Sequence, residues 1–424
     1  MDKNRILIDM GRICETLLES DLKTKVQLRS SLKLDHMIDG DLLREAWNRT
    51  KRVYPLIDAV PGYEHDSEGI LTLERARKYG NDHLFLLSPS GGVNDPVYSR
   101  KPVHPYTEAT GRRIIGVSFF EKSITISSWH ILVDGGGLNM IISTLLYIYL
   151  SLYTGEEDKH PMVELTEGRR PEEYYMADLL SHVFKQEYTP VPLYSLPRGC
   201  KGFFDEDMYN DENVYSGSLR LDAEDLLRIC KETGANPSSL LCALSARAAY
   251  NQNPDTREDI VVGLTMALKH TLGIDGYISN AVRNALAYVT YDELNGKPLA
   301  ETVQRIRQDV NTQRSKDYIV TLCRFFDTYQ FVPTVRPRLV TYMGEFNIGR
   351  HTSHIVDFNM ESTGHYVVYL LQLGKVFLFH IQYGRATERY LEEFRQVFEA
   401  LGIRTEISRP AHAISPGVDS AILE

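Results

Sequence analysis

The chain has 424 residues, a formal net charge of −10 and 43% hydrophobic residues. That length and apolar share suit a soluble globular protein of two or three domains, or of two lobes sharing an interface. The charge argues against a nucleic-acid binder, which should be basic. Five cysteines (Cys14, Cys200, Cys230, Cys242 and Cys323) are odd in number and scattered without a C-x-x-C pair. Neither a disulfide framework nor a zinc site is expected from them, and free thiols in a reducing compartment are. Residues 1–5 lead into too few apolar positions for a signal peptide. The longest apolar run, 138–153, is interrupted by Asn139, Ser143 and Thr144 and is shorter than the roughly 20 residues of a membrane span. A cytoplasmic protein with no membrane span is the expectation.

In chain order, 26–34 reads as a strand with Leu28, Leu32 and Leu34 as its apolar positions. Asp39-Gly40 makes a turn, and Asp41 is expected to cap a helix running to about Val53. Tyr54-Pro55-Leu56 ends it, because a residue before proline is pushed out of helical geometry. Residues 113–120 and 123–130 read as paired strands, and 138–153 as a helix closed by Gly155. From 156 to 217 fourteen acidic residues face six basic ones, as in a solvated connector. The second half then runs strand 219–221, a helix capped by Asp222, a helix 239–250 begun at Asn236-Pro237-Ser238 and a strand 259–268. It continues with helix 299–310, strand 339–346, a hairpin 366–373 and 375–383 turned at Gly374, and a closing helix 388–401. Strands and helices interleave in both halves, so the class is mixed α/β. The division expected is a first lobe 1–175, an acidic connector 176–217 and a second lobe 218–424.

Chemistry concentrates in His130-Ile131-Leu132-Val133-Asp134-Gly135-Gly136, between a strand and a helix. Alternation puts Ile124, Ile126, Ser128 and His130 on one strand face. Histidine is the side chain suited to exchanging a proton near neutral pH. Gly135, Gly136 and Gly137 let the backbone turn sharply behind it. The plainer reading is a packed histidine at a strand end, with Asp134 as a turn residue.

The run resembles the His-x-x-x-Asp-Gly signature of acyltransferases with the chloramphenicol-acetyltransferase-like fold. The order of elements is similar to that of the condensation and alcohol acetyltransferase superfamily over nearly the whole chain. The resemblance implies two chloramphenicol-acetyltransferase-like lobes with a substrate tunnel where they meet. His130 would sit mid-tunnel as general base, with donor and acceptor entering from opposite faces. Asp134 would turn away from substrate and pair with an arginine; Arg283 and Arg350 are the candidates. Many condensation domains carry two successive histidines, but Trp129 occupies the first position here, which disfavours a peptide-forming domain. The Asp-Phe-Gly-Trp-Gly motif of the plant-type branch is absent. Tyr342-Met343-Gly344-Glu345-Phe346-Asn347 resembles the Tyr-x-Gly-x-Phe segment lining the tunnel opposite the histidine. Tyr342, Gly344, Phe346 and Asn347 are thus tunnel candidates, or simply a strand end with a turn glycine. Ser279-Asn280 stands where relatives place a Gly-Asn pair near the tunnel floor, so Asn280 is a further candidate, with a polar loop residue as the alternative. Lys269, His270, Arg336 and Arg338 are basic residues available to coenzyme A phosphates, or solvated surface.

The expected function is acyl transfer from a thioester to a hydroxyl or amine of a small-molecule acceptor. Acyl-CoA is the expected co-substrate, with no metal and no bound cofactor. The alternatives are a free-standing condensation-type protein whose donor rides on an acyl carrier protein, and a non-catalytic docking relative.

Overall fold

Strand β2 (Leu28–Leu34) shows how pattern becomes position. Its residues 28, 32 and 34 enter the first hydrophobic core, while Arg29 and Ser31 point to the opposite face. The computed structural model that contains it describes residues 5–8, 28–63, 84–87, 94–130, 132–157, 163–176, 178–203, 214–326, 335–362, 366–384 and 389–414. Cys14 lies outside them. β1 (Arg5–Ile8) forms a small antiparallel sheet with two later strands, β3 (Val60–Tyr63) and β4 (Leu84–Leu87), in which β4 is central and pairs with both of the others. Between β2 and β3 runs helix α1 (Gly40–Val53). Its cap is Asp39, not Asp41: the Asp39 side chain accepts from the Asp41 and Leu42 amides at 2.9 and 3.1 Å. The helix begins at Gly40, so Asp41 sits in the first turn, where a carboxylate favours the positive end of the dipole.

β5 (Val97–Tyr98), β6 (Ile115–Phe120) and β7 (Ser123–Ser128) complete the first lobe's own strands. Helix α2 (Gly135–Thr154) follows and packs on α1. It starts three residues earlier than the apolar run, because Gly135, Gly136 and Gly137 are helical and Asp134 caps them. At 20 residues it is long and apolar enough to cross a membrane by length and composition, yet most of it is buried in the first core.

The expected connector holds a short helix, α3 (Leu179–Phe184), whose Leu179 and Val183 pack on Leu268, Ile274 and Val320 of the second half. Further on, the Tyr194 amide donates to the Tyr318 hydroxyl at 3.0 Å and the Tyr194 hydroxyl donates to Asp309 Oδ2 at 3.3 Å. Residues 179–203 of the segment are thus laid on the second lobe. The second lobe itself opens at β8 (Val214–Asp222), then α4 (Ala223–Thr233), α5 (Pro237–Gln252), β9 (Ile260–Ala267), the single-turn α6 (Lys269–Leu272) and β10 (Val282–Val289). Next come α7 (Tyr291–Gly296), α8 (Leu299–Arg314), α9 (Lys316–Phe326), β11 (Arg338–Glu345), β12 (Ile355–Glu361), β13 (Tyr366–Leu373), β14 (Val376–Gly384), α10 (Arg389–Ala400) and β15 (Thr405–Ile414).

The large sheet runs β10-β9-β11-β13-β14-β8-β15, with β11 parallel to β9 and β13 and the other pairs antiparallel. One face of it, with Val368, Phe377 and Phe379, packs against Leu240, Ile306 and Phe394 of the covering helices. The other face gives Tyr369, Leu371 and Leu378 to the first lobe's core. β12 does not join the large sheet. It crosses to the first lobe and pairs antiparallel with β2, giving a five-stranded order β12-β2-β7-β6-β5.

β10, β12, β15 and α9 were not anticipated from the sequence. In β10 (VRNALAYV) the strand-forming Val282, Tyr288 and Val289 stand at the ends, and Arg283, Asn284, Ala285 and Ala287 between them weaken the signal. β15 contains Pro410, which a sheet tolerates because β15 is its edge strand.

Candidate active site

β7 is buried along its whole length and ends at Ser128, so Trp129 and His130 leave the sheet into a turn. Trp129 is buried in the first core with its ring 5.1 Å from that of Tyr106. His130 is half-buried, and its Nδ1 lies 3.1 Å from the Val133 carbonyl oxygen. A carbonyl only accepts, so Nδ1 carries the proton and donates it. In the neutral ring the lone pair is then left on Nε2.

Asp134 is fully buried and every oxygen is occupied. Its Oδ1 accepts from the Gly137 amide at 2.6 Å and from Lys269 Nζ at 2.7 Å; its Oδ2 accepts from the Ala281 amide at 3.0 Å. The partner is therefore a lysine and not an arginine. Arg350 is exposed and paired with Glu156, and Arg283 is buried over the Tyr318 ring. This also removes Lys269 from the phosphate-binding candidates. Arg338 leaves that group too, since it is fully buried beneath Phe203, Tyr366 and Tyr390. Arg336 is exposed, and His270 is exposed and faces Asp275 at 3.3 Å.

The segment from Ile278 to Ala281 stitches the motif to the second lobe. Ile278 donates to the Tyr174 carbonyl at 2.8 Å, Val133 bridges to Ser279, and the Asn280 amide donates to the Leu132 carbonyl at 3.2 Å. The Asn280 side chain donates to the His130 carbonyl at 2.6 Å. Asn280 thus holds the backbone of the histidine itself. Close packing demands glycine at 137: a Cβ there would stand 2.0 Å from the Ile278 carbonyl oxygen.

The segment 342–347 divides. Tyr342 is half-buried on a cavity between the lobes, and burial, with Cys230 and Glu345 nearby, raises the pKa of its hydroxyl. Gly344 sits at a β-bulge with φ +79°, and a Cβ there would meet nothing within 4 Å. Phe346 is not a wall of the site. It is buried in the first core, edge-on to Phe358 at 5.0 Å. Asn347 is not either: exposed, it closes a turn by accepting from the Gly349 amide at 2.9 Å. The residue of this segment that reaches the motif is Met343, whose methyl would lie 2.9 Å from a Cβ on Gly135. Alternation carries the signal for it, because Met343 points opposite to Tyr342.

The cavity has a volume of about 390 Å³. It reaches the motif at Gly136, with Met140 and Lys269 alongside, and Tyr342 stands on its wall. Arg307 and Arg314 bring positive charge to it, with His270 and Asp275 beside them. His130 is not among its lining residues. The arrangement offers a hydrogen-bonded imidazole at the lobe junction and a cavity, meeting the same motif at Gly136, of a size able to take a small molecule.

No protein-family model matches the sequence, and no curated protein does. Solved structures match over nearly its whole length. The first condensation domain of the calcium-dependent antibiotic synthetase, in complex with a substrate analogue, superposes with a TM-score of 0.62 at 12% identity, covering 98% of this chain and 100% of that one. Polyketide synthase associated protein 5 from Mycobacterium tuberculosis gives 0.59 at 13%, covering 92% and 98%. TRI101 of F. sporotrichioides, complexed with coenzyme A and T-2, gives 0.57 at 11%, covering 95% and 99%. The chain has the two-lobed, mixed α/β fold that these proteins share.

Proposed function

We propose that this protein is an acyltransferase that moves an acyl group from a thioester, acyl-CoA in the first instance, to a hydroxyl or amine of a small acceptor. The carrying observation is the 3.1 Å contact between His130 Nδ1 and the Val133 carbonyl, which favours the proton on Nδ1 and leaves Nε2 as the base. Nε2 takes the proton of the acceptor O–H or N–H as its oxygen or nitrogen attacks the thioester carbonyl carbon. The tetrahedral intermediate collapses with cleavage of the C–S bond, and the imidazolium returns the proton to the departing thiolate. The products are an ester or amide and a free thiol. Asp134 takes no proton in this scheme; with Lys269 it fixes the loop. A positioned base of this kind contributes ~10²–10⁴-fold.

The basic residues around the cavity also suit a donor carried on an acidic carrier protein, so the donor form is part of the test. Thiol release is measured for acyl-CoA of several chain lengths and for acyl groups on a carrier's phosphopantetheine, against a panel of alcohols and amines. Wild-type turnover that falls by two or more powers of ten in folded His130→Ala supports the reading. Equal turnover in the variant removes His130 as base. No turnover with any donor leaves the docking relative as the surviving explanation.

A further inference from the structure

Three side chains converge at the end of the five-stranded sheet opposite His130. Asp35 and His36 follow the last residue of β2, and His354 precedes the first residue of β12. The backbone holds them in place. Leu34 pairs with Ile355, and the Asp35 amide donates to the His354 carbonyl at 3.0 Å. Each carboxylate oxygen of Asp35 faces one imidazole: Oδ1 is 2.6 Å from His36 Nδ1, and Oδ2 is 3.0 Å from His354 Nδ1. The two rings stand almost perpendicular, at 84°, with centroids 5.9 Å apart. His36 lies flat on Tyr153 at 3.8 Å, and its Nε2 is 3.4 Å from the Tyr149 hydroxyl.

We infer that Asp35, His36 and His354 form a binding site for a divalent transition-metal ion, zinc foremost. Two imidazoles and a carboxylate are a donor set that zinc accepts, with water completing the tetrahedron. The donor atoms all lie within 4.8 Å of one another. Around a tetrahedral ion with bonds of about 2.0–2.2 Å, donors stand roughly 3.3–3.6 Å apart, so each side chain moves by less than about 1 Å. Two imidazoles bound through Nδ1 would have their centroids about 5 Å apart, close to the observed spacing. Metal binding at Nδ1 requires the proton on Nε2. For His36 the Tyr149 hydroxyl is placed to accept it, the kind of outer contact that fixes a ligand's tautomer. Asp35 is 47% exposed at its side chain, which leaves a path for the ion. Lys122, bonded to the Asp35 carbonyl at 2.9 Å, opposes the ion's charge and weakens the site.

The competing arrangement is a purely hydrogen-bonded one, in which both Nδ1–H groups donate to the carboxylate. The length of β7, about 20 Å for its six residues, separates the cluster from His130. The ion is therefore structural: it joins the end of β2 to the start of the crossing strand β12.

Metal-free full-length protein is titrated with Co²⁺, followed by its visible absorption, and with Zn²⁺ in competition with a chromophoric chelator; melting is recorded on the same samples. One equivalent is expected to bind. His36→Ala, His354→Ala and Asp35→Asn should each weaken zinc binding at least tenfold, and zinc should raise the melting temperature of the wild type only. Asp35→Asn keeps the shape of the cluster and one acceptor oxygen, with the amide N–H able to donate to the other imidazole in its Nε2–H tautomer, so it tests ligation without depending on how the alanine variants fold. A wild type that binds zinc no more tightly than folded Asp35→Asn and His354→Ala overturns the site. So does an equal loss in His270→Ala, which alters a different, exposed His–Asp pair.

Discussion

The loop 130–137 and the segment 342–347 both leave a strand near the lobe junction through a glycine-bearing turn, yet they differ in how they are held. Around the loop, Asp134 binds two amides and a lysine, Asn280 binds the His130 backbone, and the Ile278 carbonyl closes on Gly137. Around the segment, the bulge at Gly344 turns Tyr342 and Phe346 to different cores, and open space faces Gly344. A short motif predicts a site well when its polar atoms must satisfy one another in a buried place. It predicts poorly when each side chain finds its own apolar neighbours.

The contrast breaks most readily at Asp134. Asp134→Ala strands the Lys269 charge in the interior and should cost about 3–5 kcal/mol by denaturant unfolding, with thiol release lost as well. A loss of turnover with unchanged stability would give Asp134 a direct chemical part instead. Next is Gly137→Ala, which drives a methyl into the Ile278 carbonyl and should cost about 3 kcal/mol. Gly136→Ala sharpens the point. Its methyl would stand at an ordinary 3.4 Å from the Asp134 oxygen, and helix propensity should return up to about 1 kcal/mol. Equal melting temperatures for these two variants would remove the close packing at 137. Gly344→Trp should stay folded by circular dichroism, at a cost of about 1–3 kcal/mol for a side chain at positive φ. Its thiol release should fall if the indole enters the lobe junction. Full activity would take this segment out of the site. The smallest effect is expected for Arg350→Ala: an exposed pair with Glu156 contributes roughly 0–1 kcal/mol, so a larger loss would show that Arg350 is more than surface.

Much of this was legible in the sequence. Alternation and capping located the central strands, and helix α2 with its closing Gly155 was anticipated within a few residues. The motif histidine and the loose Asn280 candidate arrive at one place. The lysine partner was not legible, because a charge pair separated by 135 positions leaves no periodic trace. Asp39 lost the cap to Asp41 in the reading for a local reason: two aspartates flank one glycine, and only the backbone decides which is outside the helix. β12 was invisible because Asp357, Asn359 and Glu361 interrupt its apolar pattern; of these, Glu361 meets Arg29 of β2 at 3.3 Å, a partner far away in sequence.

That crossing strand also sets a clock. β2 is an interior strand only because β12 pairs with it, and 332 positions separate Arg29 from Glu361. At ~5–20 residues per second of synthesis, the early strand waits on the order of half a minute for its partner to be made. Until then one side of β2 presents unpaired amides and carbonyls, the kind of edge that recruits strands from other chains. The newborn first lobe is therefore the aggregation-prone stage of this protein's life, and truncations that stop short of Glu361 should be recovered mainly as insoluble material.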